Sequence, residues 1–114
     1  MDLEKAGYKV SMYNFGQPRV GNKAYASYST MLVPEMYRHI NYKDIVPNIP
    51  NREIGFYHSA QEVWIYLDGN LHMCSLIDGE DKECSNQFHT WKYSGAYHTL
   101  YLGTPLGGGS CEST

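Results

Sequence analysis

The chain has 114 residues, which is enough for one small domain and too few for two. A hydrophobic share of 42 % allows a packed core, and a net charge of −3 without a basic run argues against nucleic acid or an anionic membrane as a partner. No apolar stretch reaches the length of a transmembrane helix, and the short charged start is not typical of a signal peptide.

The first predicted element is the end of a helix. Residues 1–8 (MDLEKAGY) place apolar side chains at helical spacing, and Gly7 stands where a C-terminal cap is expected. Residues 10–15 (VSMYNF) are apolar and β-prone, so they predict a buried strand that ends at the glycine- and proline-containing loop FGQPRVG. We interpret a start on the last turns of a helix as an indication of truncation.

A second helix and a second strand follow. Asn22 is a predicted N-cap for a helix over residues 23–32, which Pro34 ends. Residues 36–41 (MYRHIN) predict a strand, and the two prolines of YKDIVPNIP place a loop directly after it. Asp44 is therefore expected just beyond the C-terminal end of a strand, where open α/β sheets build their sites.

The second half of the chain predicts a hairpin and then mostly loops. Residues 62–74 contain two β-prone runs joined by Asp-Gly-Asn at 68–70, which is a strong turn signal. The segment AYHTLYL at 96–102 predicts either a short closing helix or a last strand. Residues 104–114 form a glycine-rich tail that we expect to be irregular.

The three cysteines allow two interpretations. Cys74 and Cys84 flank the short segment SLIDGEDKE, and a disulfide between them would stabilise the fold by about 3 kcal/mol. Cys111 would then be a free thiol or have a partner elsewhere. The alternative is a small zinc site of His72, Cys74, Cys84 and His89, although this spacing is not that of a usual zinc finger.

Five segments in chain order carry a family resemblance. They are NFGQPRVGNKAYASY, YRHINYKDIVPNIP, GFYHSAQEVWIY, the Cys74 and Cys84 pair followed by Ser-Asn, and the final H-x-x-Y-L-G. Together they resemble the C-terminal half of class 3 lipases, the fungal-lipase-like branch of the α/β-hydrolases, from about Val10 to Gly103.

The resemblance implies an α/β fold with only part of the family's sheet. Residues 1–103 would form the C-terminal portion of an α/β-hydrolase domain, with the last strands of a mostly parallel sheet and a terminal antiparallel hairpin. The half that carries the nucleophile would be absent, and residues 104–114 would be the irregular tail. An edge left open at residues 10–15 predicts poor solubility of the isolated chain.

The resemblance also implies catalytic roles for two residues. Asp44 matches the family's triad acid, and His98 matches the triad histidine, in the Ser, Asp, His order of α/β-hydrolases. No G-x-S-x-G occurs between Met1 and Thr114, so the expected serine is not among these residues. One departure is Tyr97, which stands where the family usually has an acidic residue.

The implied function is that of the C-terminal part of a secreted carboxylic ester hydrolase, similar to a triacylglycerol lipase, that is inactive on its own. Its partners would be a lipid or other ester substrate and the missing N-terminal half or a completing chain, with no nucleic acid and no cofactor. Cys111 would pair with a cysteine in the missing half. The alternative is a non-catalytic lipase-like remnant or interaction protein, which is favoured if the native protein begins at Met1.

Two other polar residues receive structural interpretations. His58 is predicted to be a packing and hydrogen-bonding histidine. Arg19 is predicted to order a loop through hydrogen bonds to backbone groups and not to bind substrate.

Overall fold

Four strands form one mixed sheet in the order β1-β2-β3-β4 in a computed structural model that describes residues 1–88 and 90–107. Two further strands, β5 and β6, form a separate small hairpin. The bounds in chain order are α1 Asp2–Lys5, β1 Ser11–Phe15, α2 Lys23–Leu32, β2 Glu35–Asn41, β3 Glu62–Ile65, β4 Leu71–Met73, β5 Leu100–Tyr101 and β6 Thr104–Pro105. Single 3₁₀ turns occupy Val46–Asn48, Arg52–Ile54, Ser85–Gln87, Thr90–Lys92 and Gly95–His98.

Parallel pairing joins the first three strands, and an antiparallel strand closes the sheet. Phe15 of β1 lies opposite His39 of β2, and Asn41 of β2 lies opposite Ile65 of β3. Because β1, β2 and β3 run in one direction, the loops that follow them emerge at the same edge of the sheet. The predicted α/β sheet with an antiparallel hairpin is confirmed.

The helix boundaries follow from their capping residues. The side chain of Asn22 accepts a hydrogen bond from the backbone N–H of Tyr25, as predicted for the N-cap of α2. At the end of α1, Gly7 has a φ of +94°, and the backbone N–H groups of Gly7 and Tyr8 donate back to the carbonyls of Glu4 and Leu3. These two bonds form a Schellman motif, which ends the helix.

The core lies against one side of β2 and both sides of β3. β2 alternates between partly exposed and buried side chains and buries Met36, Arg38 and Ile40, whereas β3 is buried at all its positions. A continuous buried strand is typical of a sheet that is covered on both faces. Ile40 and Trp64 pack in the centre around the Cys74–Cys84 disulfide.

The disulfide decides between the two interpretations of the cysteines. Cys74 and Cys84 are joined by a 1.99 Å bond between their sulfur atoms, so the predicted local disulfide is confirmed. A zinc ion requires free thiolates, and the zinc interpretation is therefore wrong. His89 and Cys111 lie outside the described residues, and the partner of Cys111 stays a prediction.

A buried ion pair fastens the disulfide loop to the loop after β1. Nε and Nη2 of Arg19 donate to the two carboxylate oxygens of Glu80 at 2.7 and 2.8 Å, and the two side chains are only 3 % and 0 % exposed. Nη1 of Arg19 donates to the carbonyl oxygens of Asn48 and Pro50. The prediction that Arg19 orders a loop through backbone groups is confirmed, and Glu80 is a partner that the sequence did not indicate.

His58 is buried beside this ion pair. Its Nε2 lies 2.6 Å from the carbonyl oxygen of Pro47, and its backbone N–H donates to Glu80, so its predicted structural role is confirmed. Burial, together with the charge of Arg38, lowers the pKa of His58 to about 3. Burial opposes the ionisation of Glu80, but the hydrogen bonds from Arg19 and Asn86 and the positive charge of Arg19 together outweigh it and lower the pKa of Glu80 to about 2.

We expect the free energy of unfolding to fall as the pH drops below 6.5. The imidazole of His58 binds a proton near pH 6.5 when unfolded but only near pH 3 in the fold, so the unfolded state binds more protons in between. This group alone contributes a slope of about 1.4 kcal/mol per pH unit. Glu80 adds to the loss between its unfolded value of 4.5 and its folded value of about 2.

Urea unfolding at about pH 7.5 and about pH 5 measures this dependence. The His58→Gln variant has no group that titrates at this position, so its unfolding free energy should change less between the two conditions than that of the wild type. A wild-type midpoint that is the same at both pH values would contradict the expectation.

β1 forms an open edge of the sheet, so the strand predicted at residues 10–15 is present but its predicted burial is wrong. Within residues 1–88 and 90–107 its sheet neighbour is β2 alone, and Tyr13 and Phe15 are 62 % and 43 % exposed. Tyr13 stacks on Tyr37, and Phe15 stacks on His39, so aromatic rings cover this face. Such an edge favours association with another strand, and poor solubility stays a prediction.

Residues 96–102, for which the sequence allowed a short helix or a last strand, contain both. Residues Gly95–His98 form a 3₁₀ turn, and Leu100–Tyr101 then pairs with Thr104–Pro105. The predicted irregular tail therefore starts with a short strand, and residues 108–114 lie outside the described part. None of the helices in residues 1–88 and 90–107 has both the length and the apolar character that a membrane crossing requires.

Candidate active site

Asp44 lies in a tight turn directly after β2, as predicted. The backbone N–H of Asp44 donates to the carbonyl of Asn41 at 2.8 Å, which closes the turn. Oδ1 of Asp44 accepts the backbone N–H of Val46 at 2.9 Å, and Asp44 is 0 % exposed. The carboxylate is therefore fixed in a buried position at the carboxyl edge of the parallel strands.

His98 ends the 3₁₀ turn Gly95–His98, which is held against the end of β2. The side-chain Nδ2 of Asn41 donates to the carbonyl oxygens of Tyr97 and Leu100 at 3.0 and 2.8 Å. The backbone of Ser94 exchanges hydrogen bonds with Lys43 and Ile45, on either side of Asp44. The loop that contains Asp44 and the turn that contains His98 are thus joined by backbone as well as side-chain hydrogen bonds.

The structure brings the two predicted site residues together. Nδ1 of His98 lies 2.8 Å from Oδ2 of Asp44, although 54 positions separate the residues in sequence. The side chain of His98 is 37 % exposed, whereas that of Asp44 is 0 % exposed. An ionised carboxylate can only accept, so Nδ1 donates this hydrogen bond, and in the neutral imidazole the lone pair is then on Nε2.

Tyr101 is a third member of the site. Its hydroxyl donates to the same Oδ2 of Asp44 that binds His98, and it accepts the backbone N–H of Asn41 at 3.1 Å. Burial raises the pKa of the Tyr101 phenol well above its usual range, and the hydrogen bond to Asp44 raises it further. The phenol therefore keeps its proton and acts as a permanent donor to Asp44.

Gly16 provides the space in which the two side chains meet. A Cβ atom at this position would lie 2.6 Å from both Nδ1 and Cε1 of His98 and 3.0 Å from Oδ2 of Asp44. The φ of Gly16 is +69°, a conformation that L residues with a side chain rarely adopt. Two independent constraints therefore require glycine here.

We expect Gly16→Ala to separate His98 from Asp44. The added methyl group overlaps the imidazole ring, and the positive φ alone costs about 1–2 kcal/mol. NMR of the histidine side chains measures the result, because an imidazole N–H that donates to a carboxylate gives a distinct low-field proton signal. The variant should lose this signal.

Gly95→Ala is the matched control for this experiment. Gly95 belongs to the same 3₁₀ turn as His98, but a Cβ added there meets no atom within 4 Å. This variant should keep the signal of His98. Retention of the signal in Gly16→Ala would show that the site tolerates a side chain at this position.

Three further residues contact or surround the predicted pair of Asp44 and His98, and the sequence did not indicate them. These residues are Gly16, Asn41 and Tyr101. The H-x-x-Y spacing of His98 and Tyr101 was part of the family resemblance, and it was the available signal for the tyrosine. Asn41 and Gly16 gave no comparable signal, because their roles depend on contacts with segments far away in sequence.

Comparisons with known proteins show which family the chain resembles. Residues 1–54 match the profile of the class 3 lipases. A lipase from Rhizomucor miehei is 35 % identical over 98 residues, which cover 84 % of this chain and 26 % of that protein. The chain belongs to the class 3 lipase family.

The class 3 lipases of known structure share the fold. Lipase II from Rhizopus niveus superposes with a TM-score of 0.82 at 31 % identity, over 92 % of this chain and 41 % of that one. A triacylglycerol lipase with a serine-protease triad at its catalytic centre gives a TM-score of 0.81 at 33 % identity, over 91 % and 41 % of the two chains. The chain therefore has part of the α/β-hydrolase fold of these lipases.

The chain is much shorter than its relatives among the class 3 lipases. A secreted mono- and diacylglycerol lipase from Malassezia globosa is 29 % identical over 113 residues, which are 94 % of this chain but 37 % of that protein. The match to the Rhizomucor miehei lipase covers 26 % of it. The 114 residues thus span about a quarter to a third of the length of these curated relatives.

Proposed function

We propose that Asp44 and His98 are the acid and the base of a Ser-His-Asp triad in a carboxylic ester hydrolase that acts on acylglycerols. The 2.8 Å contact between Nδ1 of His98 and Oδ2 of Asp44 carries the proposal. The nucleophilic serine comes from outside these 114 residues, because they contain no G-x-S-x-G.

The roles follow from the orientation of the two side chains. Nε2 of His98 takes the proton from the serine hydroxyl as the oxygen attacks the ester carbonyl, and then delivers it to the leaving alcohol. Asp44 accepts the hydrogen bond of Nδ1–H, which fixes the tautomer and stabilises the imidazolium. The hydrogen bonds from Tyr101 and Val46 hold the carboxylate in this position. The reaction requires no cofactor.

The class of substrate is inferred from the family. The related proteins are named as lipases, and one is named as a secreted mono- and diacylglycerol lipase. We place this protein outside the cell for the same reason, and because the Cys74–Cys84 disulfide is typical of oxidising compartments. Its partner would be the N-terminal half of a complete domain, or a second chain that supplies the serine and adds a strand to the open edge of β1.

We expect the isolated 114-residue chain not to hydrolyse esters. Under the proposal, Asp44 and His98 supply only the proton acceptor. Most of the rate enhancement comes from the nucleophile and from the donors that stabilise the oxyanion, which we expect in the other half of the domain. The measurement is the turnover of p-nitrophenyl butyrate by the pure chain. Steady turnover that disappears in the His98→Ala variant would contradict this expectation.

The experiment that tests the function uses the native transcript. The 5′ end of the message is mapped, and the complete reading frame that contains Met1 to Thr114 is expressed. We expect a G-x-S-x-G upstream and hydrolysis of diacylglycerol by the longer protein, with covalent labelling of its serine by an alkyl phosphonate. A complete protein that has no such serine and no activity would overturn the proposal.

A second candidate function is a non-catalytic interaction protein. The open edge of β1 and its exposed aromatic residues favour it, because they allow a strand from another protein to pair with the sheet. A message that begins at Met1 would support this candidate. The partner would then be captured from the native source with a tagged form of this chain. In the complex we expect it to bury Tyr13 and Phe15.

A further inference from the structure

Tyr42 has an unusual backbone conformation at a critical position. It is the second residue of the turn Asn41–Asp44, and its φ is +40°. This left-handed region is unfavourable for an aromatic residue, whereas glycine or asparagine adopts it readily. The turn places Asp44, so the conformation of Tyr42 decides where the carboxylate lies.

An aromatic cluster around Tyr42 compensates for this conformation. The ring of Tyr42 stacks on Trp64 and meets Phe88 edge to face, with centroid distances of 6.3 and 5.7 Å. Nε1 of Trp64 donates to the carbonyl oxygen of Tyr42 at 2.8 Å, and the ammonium group of Lys43 lies 4.9 Å from the centre of the Tyr42 ring. The side chain and the backbone of Tyr42 are therefore both anchored.

The same ring also touches the loop of the histidine. Tyr97, the residue directly before His98, packs edge to face on Tyr42 at a centroid distance of 5.4 Å. The backbone of Tyr42 thus sets the turn of the acid, while its ring supports the segment of the base.

We propose that Tyr42 is a positioning residue that holds Asp44 and His98 in register by joining their two loops through one aromatic ring. The inference rests on the proposed function, since it concerns the same pair of residues. It adds that the contact between acid and base depends on a hydrophobic cluster outside the hydrogen-bonded site. Removal of the Tyr42 ring should release the loops of Asp44 and His98, even in a variant whose residue 42 adopts the positive φ without strain.

The test is NMR of the 114-residue chain with ¹⁵N-labelled histidine, in three variants. Tyr42→Gly removes the ring, and glycine adopts a positive φ without penalty, so the variant separates the loss of the ring from backbone strain. We expect it to lose the low-field Nδ1–H signal of His98. Tyr42→Phe retains every ring contact and should keep the signal.

Tyr66→Ala controls for a general loss of aromatic packing. Tyr66 meets Trp64 at a centroid distance of 4.8 Å and stacks on His72. This variant should lower the unfolding midpoint and leave the His98 signal in place. Equal loss of the signal in Tyr66→Ala and Tyr42→Gly would overturn the specific role of Tyr42, because a merely structural contribution predicts that result.

The outcomes also separate this inference from the proposed function. A wild-type chain with the signal and a Tyr42→Gly variant that keeps it would overturn the positioning role and leave the pair of Asp44 and His98 intact. A folded wild-type chain without the signal would contradict the pair itself and both proposals with it.

Discussion

Replacement of Asp44 by asparagine in the complete enzyme should lower kcat by about 10⁴-fold with little change in KM. An amide at this position can donate to Nδ1 of His98, which favours the tautomer with the proton on Nε2. That tautomer cannot accept the proton of the serine hydroxyl. The substrate does not contact the buried Asp44, so its binding should persist.

Asp68→Asn is the matched control for this substitution. Asp68 lies in the exposed β3–β4 turn, where its carboxylate accepts hydrogen bonds from Asn70. We expect activity within about twofold of the wild type, because surface substitutions of this kind change little. Both variants are assayed for diacylglycerol hydrolysis, with unfolding midpoints as a check on folding. An Asp44→Asn enzyme within about tenfold of wild-type kcat would exclude Asp44 as the triad acid.

Replacement of Glu80 by glutamine should destabilise the fold by about 3–5 kcal/mol, since it leaves the guanidinium group of Arg19 buried without its counter-charge. The side chain of Arg19 is only 3 % exposed, so water cannot replace the lost carboxylate. Glutamine also leaves a single side-chain oxygen to accept the bonds from Arg19, His58 and Asn86 that the two carboxylate oxygens of Glu80 accept. A small domain has only about 5–15 kcal/mol of stability in total, so this loss would be a large fraction of it.

Urea unfolding at neutral pH measures this effect, with Lys9→Met as the control. Lys9 forms an ion pair with Glu35 at 3.7 Å, but the lysine side chain is 87 % exposed, and we expect no measurable change. The double variant Arg19→Met with Glu80→Leu removes both charges and should regain part of the stability lost in Glu80→Gln. A shift in Glu80→Gln as small as that of Lys9→Met would contradict the structural role of the ion pair.

Local signals predicted most of the fold. The side chain of Asn22 caps the start of α2 by binding a backbone N–H three residues later. Pro34 prevents the helix from continuing much beyond Leu32. The hairpin of β3 and β4 follows from its Asp-Gly-Asn turn in the same way. These features depend on residues that are adjacent in sequence, so the sequence is enough to predict them.

The parts that could not be predicted depend on contacts between distant segments. Glu80 reaches Arg19 across 61 positions, and nothing in the sequence near either residue indicates the other. Gly16 was read as the end of a strand, but its missing Cβ leaves room for His98. The left-handed conformation of Tyr42 depends on a cluster assembled from several loops. The position of Asp44 after β2 was predictable from the prolines that follow it, whereas its pairing with His98 was predicted only through the family resemblance.

The order of residues along the chain also sets a time order during synthesis. Asp44 leaves the ribosome 54 residues before His98, which at about 5–20 residues per second is a delay of about 3 to 11 s. Tyr101, which holds the carboxylate from the other side, follows only after the histidine. Throughout that interval the sheet can form, and under the proposed function the carboxylate of Asp44 would have no imidazole to orient until His98 has emerged.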